Sequence, residues 1–192
     1  MNLSKPKILV SKCLEFDTCR YNGLSIKDSI IRSLKNYVEF IPICPEMEIG
    51  LGTPRDPIRL IYKNKKIKLV QPSTKKDITS KMNNFSNQYI KNLEQIDGCI
   101  LKNRSPSCGI YGIKVYDGID KPSVRFKDKG LFAKSLLNYF SNLPIEEEGR
   151  LKNKEIREHF FTAIFTIANF RDEMLKPSRG KLIEYHSKNK YL

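Results

Sequence analysis

The most informative stretch of the sequence is Lys102-Asn103-Arg104-Ser105-Pro106-Ser107-Cys108-Gly109, which combines cationic, hydroxyl and thiol side chains. It follows Ile96 to Leu101, a short apolar run that predicts a buried strand. Pro106 restricts its own backbone and that of the preceding residue, while Gly109 permits a turn or a close backbone approach. We therefore predict a rigid turn that presents a thiol at the carboxyl end of a strand, where open α/β sheets bind their ligands.

Two other cysteines occur in the same kind of position. Cys13 follows the apolar run Ile8-Leu9-Val10, and Cys44 follows the apolar run from Val38 to Ile41. Each thiol lies at the exit of a predicted strand and leads into a turn. Because the exits of parallel strands lie along one edge of a sheet, these two thiols and Cys108 could meet there.

The alternation of strands and helices predicts an α/β fold with a three-layer, mostly parallel, Rossmann-like sheet and a helical C-terminal extension. We predict two regions, residues 1–148 and 149–192. A capping box at Ser25 and Asp28 predicts the start of the first helix. The predicted strands are 7–13, 37–43, 98–101, 110–116 and 143–145, with a hairpin over 58–70 at the sheet edge; the predicted helices are 25–36, 77–93, 130–140, 151–170 and 181–191.

The bulk composition indicates a globular protein with a strong positive charge. Hydrophobic residues make up 40% of the 192 residues, and no apolar run reaches the roughly 20 residues that span a bilayer. The N-terminus lacks a signal-peptide pattern, so we expect a cytoplasmic protein without membrane contact. The formal charge of +14 favours a polyanion partner such as nucleic acid, or simply a lysine-rich solvated surface.

The five cysteines do not suggest disulfides, because their number is odd and we expect a reducing compartment. Cys99 lies inside an apolar run and is interpreted as a core residue, and Cys19 is interpreted as a non-ligand. The thiols at the three strand exits are either buried core cysteines or parts of one site. Three thiolates without histidine suit a soft metal or an iron–sulfur cluster, and a site with three protein ligands keeps one position open for chemistry.

Three ordered motifs resemble the signatures of the TudS-type thiouracil desulfurases, also called desulfidases. They are Ser11-x-Cys13-Leu14 with Arg20-Tyr21-x-Gly23, Cys44-Pro45-Glu46 with Gly50-Leu51-x-x-Pro54-Arg55, and Ser105-Pro106-Ser107-Cys108-Gly109. The tail, from Gly149-Arg150-Leu151 to Lys190-Tyr191-Leu192, resembles the opening of the second domain that is often fused in RudS-type enzymes. The RudS-type resemblance implies 4-thiouridine in tRNA as a substrate.

The resemblance implies a 4Fe–4S cluster with three Cys ligands, at Cys13, Cys44 and Cys108, and one open iron that takes the sulfur of a thiocarbonyl. It implies catalytic roles for Glu46, which would transfer protons, and for Ser105, which would donate a hydrogen bond. Each has a simpler interpretation, as a loop carboxylate and a turn-forming hydroxyl. The implied reaction is non-redox: the oxo base forms and hydrogen sulfide is released.

Four further residues are candidates for substrate binding. Arg55 and Lys102 could contact the substrate or a phosphate, or could equally be partners in structural ion pairs. Arg20 and Tyr21 could line the pocket, where the tyrosine ring could stack on a pyrimidine or simply pack. Cys19 lies where the family pattern does not require a thiol.

Three functions from different classes follow. The first is an enzyme that removes sulfur from thiouracil, 4-thiouridine monophosphate or 4-thiouridine in tRNA. The second is a nucleic-acid-binding module with a structural three-Cys metal site. The third is a cluster-based redox protein, and a need for reductant would distinguish it from the enzyme.

Overall fold

The computed structural model describes residues 4–120, 123–175 and 178–190. Strands and helices alternate over most of this range. The strands are β1 (Lys7–Ser11), β2 (Glu39–Ile43), β3 (Arg59–Lys63), β4 (Lys66–Gln71), β5 (Lys76–Asp77), β6 (Gly98–Leu101), β7 (Ile113–Tyr116), β8 (Val124–Asp128) and β9 (Ile145–Glu147). The helices are α1 (Ser29–Leu34), α2 (Pro45–Glu48), α3 (Thr79–Lys91), α4 (Leu131–Tyr139), α5 (Lys154–Glu173) and α6 (Arg179–Asn189).

A fully parallel sheet with the strand order β2-β1-β6-β9 forms the centre of the protein. Successive side chains of its strands point to opposite faces. Ile8, Val10 and Ile100 pack with α1 and α5 on one face. Leu9 and Leu101 pack with α3 and α4 on the other. The predicted three-layer α/β architecture is therefore confirmed.

A second sheet, with the order β5-β4-β3-β7-β8, packs into the same core as α3 and α4. The hairpin predicted over 58–70 is present as β3 and β4, but its predicted position at the edge of the central sheet was wrong. It pairs instead with β7, which is parallel to β3. The reason is that β3 has its hydrogen-bonding partner in β7, a pairing between distant segments that local patterns do not reveal.

The first helix is shorter than predicted and has a different cap. Asp28, rather than Ser25, is the N-cap, and its Oδ1 accepts hydrogen bonds from the backbone N–H groups of Ile30 and Ile31 at 3.0 Å. The residues before Asp28 do not join the helix because Ile26 forms an isolated bridge with Leu14. The segment between β1 and α1 is therefore an irregular loop.

The C-terminal helix α5 belongs to the hydrophobic core. Its side chains Phe160 and Ile164 are buried against β1 and β6. A Cβ atom at Gly98 would lie 2.7 Å from Cγ2 of Ile164, so this glycine permits the close approach of α5 to β6. The predicted boundary after residue 148 follows β9 closely, and α5 beyond it packs into the same core as β1 and β6.

Helix α6 has no buried residues and rests on α5. The Tyr185 hydroxyl donates a hydrogen bond to the carbonyl of Thr166 at 2.7 Å, and its ring packs edge-on against Phe170. The predicted helix over 181–191 is thus present, although Tyr191 lies outside the described residues. Among the described residues, no helix is long and apolar enough to cross a membrane.

Candidate active site

Three neighbouring parallel strands deliver cysteines to one edge of the central sheet. Cys13 follows β1, Cys44 follows β2 as the N-cap of α2, and Cys108 lies in the turn after β6. The backbone N–H of Lys102 donates a hydrogen bond to the Ser11 hydroxyl at 2.8 Å and thereby ties the exits of β6 and β1 together. The order β2-β1-β6 explains why thiols so distant in sequence line a single cavity.

The turn after β6 is stabilised from within. The Ser105 hydroxyl accepts hydrogen bonds from the backbone N–H groups of Ser107 and Cys108 at 3.2 and 3.1 Å. A Cβ atom at Gly109 would lie 2.9 Å from the Ser105 carbonyl and 2.2 Å from Cδ1 of Ile113. Only glycine fits there, and the thiol of Cys108 is held in place as a result.

A fourth thiol, which sequence analysis interpreted as a non-ligand, belongs to the same group. Cys19 is buried and lines the same cavity as Cys13, Cys44 and Cys108. The Cys44 thiol also contacts the Cys19 carbonyl at 3.9 Å. Cys99 is different, because it is fully buried among the side chains of the core.

The surroundings of Cys19, Cys44 and Cys108 raise the pKa values of their thiols and so favour the protonated forms. Hydrogen bonding with Cys13 and burial raise the pKa of Cys19 to about 11. Burial, followed by the neighbouring Glu46 and Cys44, raises the pKa of the Cys108 thiol well above its usual value. A metal that binds here must displace protons, because thiolates rather than thiols are its ligands.

Within the described part of the chain, no three Cys, His, Asp or Glu side chains converge closely enough for a single metal ion. An iron–sulfur cube separates its cysteine ligands more widely than one ion does, and its preferred protein ligands are cysteine thiolates. A donor set of sulfur atoms around one cavity therefore fits a cluster better than a single zinc ion.

Glu46 directs its carboxylate into this cavity. Its Oε1 accepts a hydrogen bond from the Ser107 hydroxyl at 3.0 Å and a longer one from Ser105 at 3.4 Å. Its Oε2 is bound by the Arg55 guanidinium through Nη2 and, at 3.1 Å, through Nε. Both carboxylate oxygens thus have fixed partners, which sets the orientation of the group.

Most hydrogen-bond donors of the Arg55 side chain are occupied by groups within the protein. Its side chain is only 4% exposed, and its Nη1 donates hydrogen bonds to the carbonyls of Cys19 at 3.0 Å and Gly52 at 2.7 Å. Arg55 lines the cavity, but its donors are engaged with Glu46 and these carbonyls. Of the two interpretations open from the sequence, this geometry favours the structural ion pair.

Lys102 has a similar arrangement. Its ammonium group contacts Glu148 and the side-chain carbonyl of Asn103, and the Glu148 carboxylate also accepts from the backbone N–H of Asn103 at 2.7 Å. These contacts join the start of the turn to the chain just after β9. Lys102 lines the cavity with its charge already paired.

The cavity has a volume of about 950 Å³ and a basic rim. Arg20 and Tyr21 lie on it; the guanidinium carbon is 5.6 Å from the centre of the tyrosine ring, which is 44% exposed. Arg59 and Lys127 contribute further positive charge from the second sheet. The cavity combines a deep group of thiols and a carboxylate with a cationic, aromatic entrance.

The sequence model of the family described as 2-thiouracil desulfurase matches residues 8–148. This range includes all four thiols of the cavity and Glu46. The chain belongs to the 2-thiouracil desulfurase family. The match ends just after β9, so α5 and α6 lie outside it.

Two proteins similar to this chain are informative. The uncharacterized protein YbbK of Bacillus subtilis (strain 168) is 34% identical over 110 residues, which are 53% of this chain and 72% of YbbK. A solved structure of the 4Fe–4S-dependent thiouracil desulfidase TudS is 26% identical, with a TM-score of 0.62. That similarity covers 82% of this chain and 99% of TudS.

Two residues of the cavity were not predicted from the sequence. Ser107 stands out there only as part of its motif, yet it is fully buried and forms the shorter hydroxyl contact to Glu46. The sequence did contain a signal for Ser107, because a hydroxyl next to the Cys108 thiol in a rigid turn can reach the same site. Cys19 follows no strand, so its approach to Cys13 and Cys44 is visible only in three dimensions.

Proposed function

We propose that this protein removes sulfur from a thiolated pyrimidine without net oxidation or reduction, using a 4Fe–4S cluster held by Cys13, Cys44 and Cys108. The observation that carries the proposal is the convergence of these thiols and the Glu46 carboxylate on one cavity. The family assignment and the description of TudS support the same reaction class. Free thiols also suit a reducing compartment, and we assign the protein to the cytoplasm.

The cofactor fits the donor set, which contains sulfur ligands and no histidine. With three cysteine ligands, a bound cluster would supply one iron with an open position, which attracts sulfur and acts as a Lewis acid. The protein would hold the ligands on three adjacent strand exits.

Glu46 is proposed to move the protons. Replacing C=S by C=O consumes one water molecule and releases hydrogen sulfide, so both protons of the water must reach the departing sulfur, one after the other. The carboxylate can accept and return each proton, while Arg55 and the hydroxyls of Ser105 and Ser107 hold the carboxylate in position. Ser105 can also donate to the oxygen that develops on the ring.

The cationic rim is proposed to bind a phosphate. Arg20 and Lys127 would attract the phosphate of 4-thiouridine monophosphate or the backbone of tRNA, and the exposed ring of Tyr21 offers a surface for stacking. The formal charge of +14 favours these substrates over the uncharged thiouracil base. The cavity of about 950 Å³ leaves room for a nucleotide.

The decisive experiment is an oxygen-free assay of sulfide release without reductant. The substrates are 2-thiouracil, 4-thiouracil, 4-thiouridine monophosphate and thiolated tRNA, tested side by side. We expect turnover with at least one of them, and roughly 100- to 10,000-fold slower turnover for Glu46→Gln at unchanged iron content. Turnover that requires a reductant would instead support a redox protein.

Matched cysteine variants test the ligand set. Replacing Cys13, Cys44 or Cys108 with Ser should abolish the absorption of the cluster and reduce the bound iron. Cys99→Ala, which changes a thiol in the core, should retain both. Protein that contains four irons but releases no sulfide from any substrate would refute the proposed activity.

A further inference from the structure

We propose that Cys19 is a fourth, exchangeable ligand of the iron–sulfur cluster, bound through its thiolate while no substrate occupies the cavity. The proposal rests on the proposed function for the presence of the cluster. It goes beyond that function because it assigns a protein ligand, in the absence of substrate, to the iron that the three strand-exit cysteines leave open.

The position of the Cys19 thiol supports this role. The residue is 1% exposed, its side chain lines the same cavity as the three strand-exit thiols, and its carbonyl oxygen lies 3.9 Å from the Cys44 sulfur. Four sulfur donors therefore surround one cavity, and an iron–sulfur cube has four irons that each take one external ligand.

The backbone around Cys19 explains why this ligand would be the exchangeable one. Cys13, Cys44 and Cys108 are fixed at the ends of β1, β2 and β6. Cys19 lies in the irregular loop before α1, and its carbonyl is held by Arg55 at 3.0 Å. The neighbouring carbonyl of Arg20 accepts a hydrogen bond from the Thr53 hydroxyl at 2.8 Å. Because these bonds hold the backbone, rotation of the Cys19 side chain would withdraw the thiol without breaking a strand of the central sheet.

The exchange balances without electron transfer. Cys19 would leave the iron as a thiolate when the substrate sulfur binds in its place, and it would then take up one proton from solvent. Arg55 binds both the Cys19 carbonyl and Glu46, so one side chain holds the backbone at Cys19 and the group that we propose to transfer protons.

Mild oxidation of the intact, cluster-containing protein tests the assignment. An iron without a protein ligand is lost more easily than one with a thiolate, and the product is a three-iron cluster with a characteristic paramagnetic resonance signal. We expect substrate-free wild type and Cys99→Ala to retain about four irons per chain after ferricyanide treatment. Under the same treatment Cys19→Ala should lose one of the four, and its circular dichroism spectrum should match that of wild type.

The wild-type protein alone provides a second test that does not depend on folding of the variant. Mössbauer spectra of substrate-free protein with enriched iron should reveal no unique iron site. A unique site in that spectrum, or equal iron loss from wild type and Cys19→Ala, would overturn the assignment. If wild type has four equivalent irons but releases no sulfide, the ligand assignment stands and the proposed activity fails; protein that binds no cluster overturns both.

Discussion

Replacement of Arg55 with Met tests whether the buried ion pair with Glu46 organises the cavity. The substitution preserves much of the side-chain volume but removes the hydrogen bonds to Glu46, Cys19 and Gly52. Glu46 would then be a largely buried carboxylate, with its side chain 13% exposed, without its counter-ion. Removal of one partner from a buried pair costs about 3–5 kcal/mol, because the remaining charge is uncompensated.

The expected effect is large enough for equilibrium unfolding in urea. Circular dichroism of the cluster-free, reduced protein should give a free energy of unfolding about 3–5 kcal/mol below that of wild type. For a chain of this size, each kcal/mol lowers Tm by about 2–4 °C, so the melting temperature should fall by roughly 6–20 °C. The use of cluster-free protein keeps ligand binding out of the comparison.

Arg125→Met is the matched control. Arg125 pairs with Asp117 at 3.1 Å, but the two side chains are 53% and 34% exposed, compared with 4% and 13% for Arg55 and Glu46. An exposed pair contributes about 0–1 kcal/mol, so this variant should be nearly as stable as wild type. The comparison isolates burial, because the chemical change is identical.

A double variant completes the test. Arg55→Met combined with Glu46→Gln leaves no unpaired charge and should be less destabilised than the sum of the two single variants, with an interaction energy of about 0.5–3 kcal/mol. Strictly additive effects, or a loss below about 1 kcal/mol for Arg55→Met, would refute the interpretation that the ion pair holds Glu46.

Three other predictions concern the turn, the core and the carboxylate. Gly109→Ala places a Cβ atom 2.9 Å from a backbone carbonyl, so this variant should lose most of the bound iron. Gly118→Ala is the control and should retain the iron, because its Cβ atom would meet no atom within 4 Å. Equal iron contents of the two variants would contradict the turn geometry. Ile164→Ala removes a fully buried side chain that joins α5 to the sheet. The free energy of unfolding in urea should fall by about 2–5 kcal/mol. A smaller decrease in this free energy would mean that α5 is not part of the core. Ser107→Ala removes the shorter hydroxyl contact to Glu46 and should lower kcat up to about 100-fold at unchanged iron content. Ser107→Thr, which keeps a hydroxyl, should restore part of the activity. An unchanged kcat of Ser107→Ala would rule out this positioning role.

The local patterns of the sequence were sufficient for the layered architecture. The central strands are apolar runs that end in turn residues, and parallel strands buried on both faces have this appearance. Hydrophobic periodicity likewise predicted α3, α4 and α5. Local patterns did not predict the sheet to which β3 belongs, because its partner is distant in the sequence. β3 pairs with β7 rather than with the central sheet.

The residues of the cavity likewise divide into those that local patterns predict and those that only contacts between distant segments reveal. Cys13, Cys44 and Cys108 could be selected from the sequence because each ends an apolar run, and that property is local. The contacts of Cys19 and the pairing of Arg55 depend on a loop that folds back over the strand exits. Such contacts arise between segments without periodicity, so only the folded chain reveals them.

The sequence by itself determined the α/β class, the thiols at the strand exits and the turn that only Gly109 permits. Hydrophobic periodicity and backbone restriction act over a few residues and can be read without knowledge of the rest of the chain. The tertiary structure decided the strand order β2-β1-β6, which brings the three exits together, and the burial that pairs Glu46 with Arg55. The physical reason is that strand order and burial are properties of the whole packed chain, in which each segment competes for the same partners.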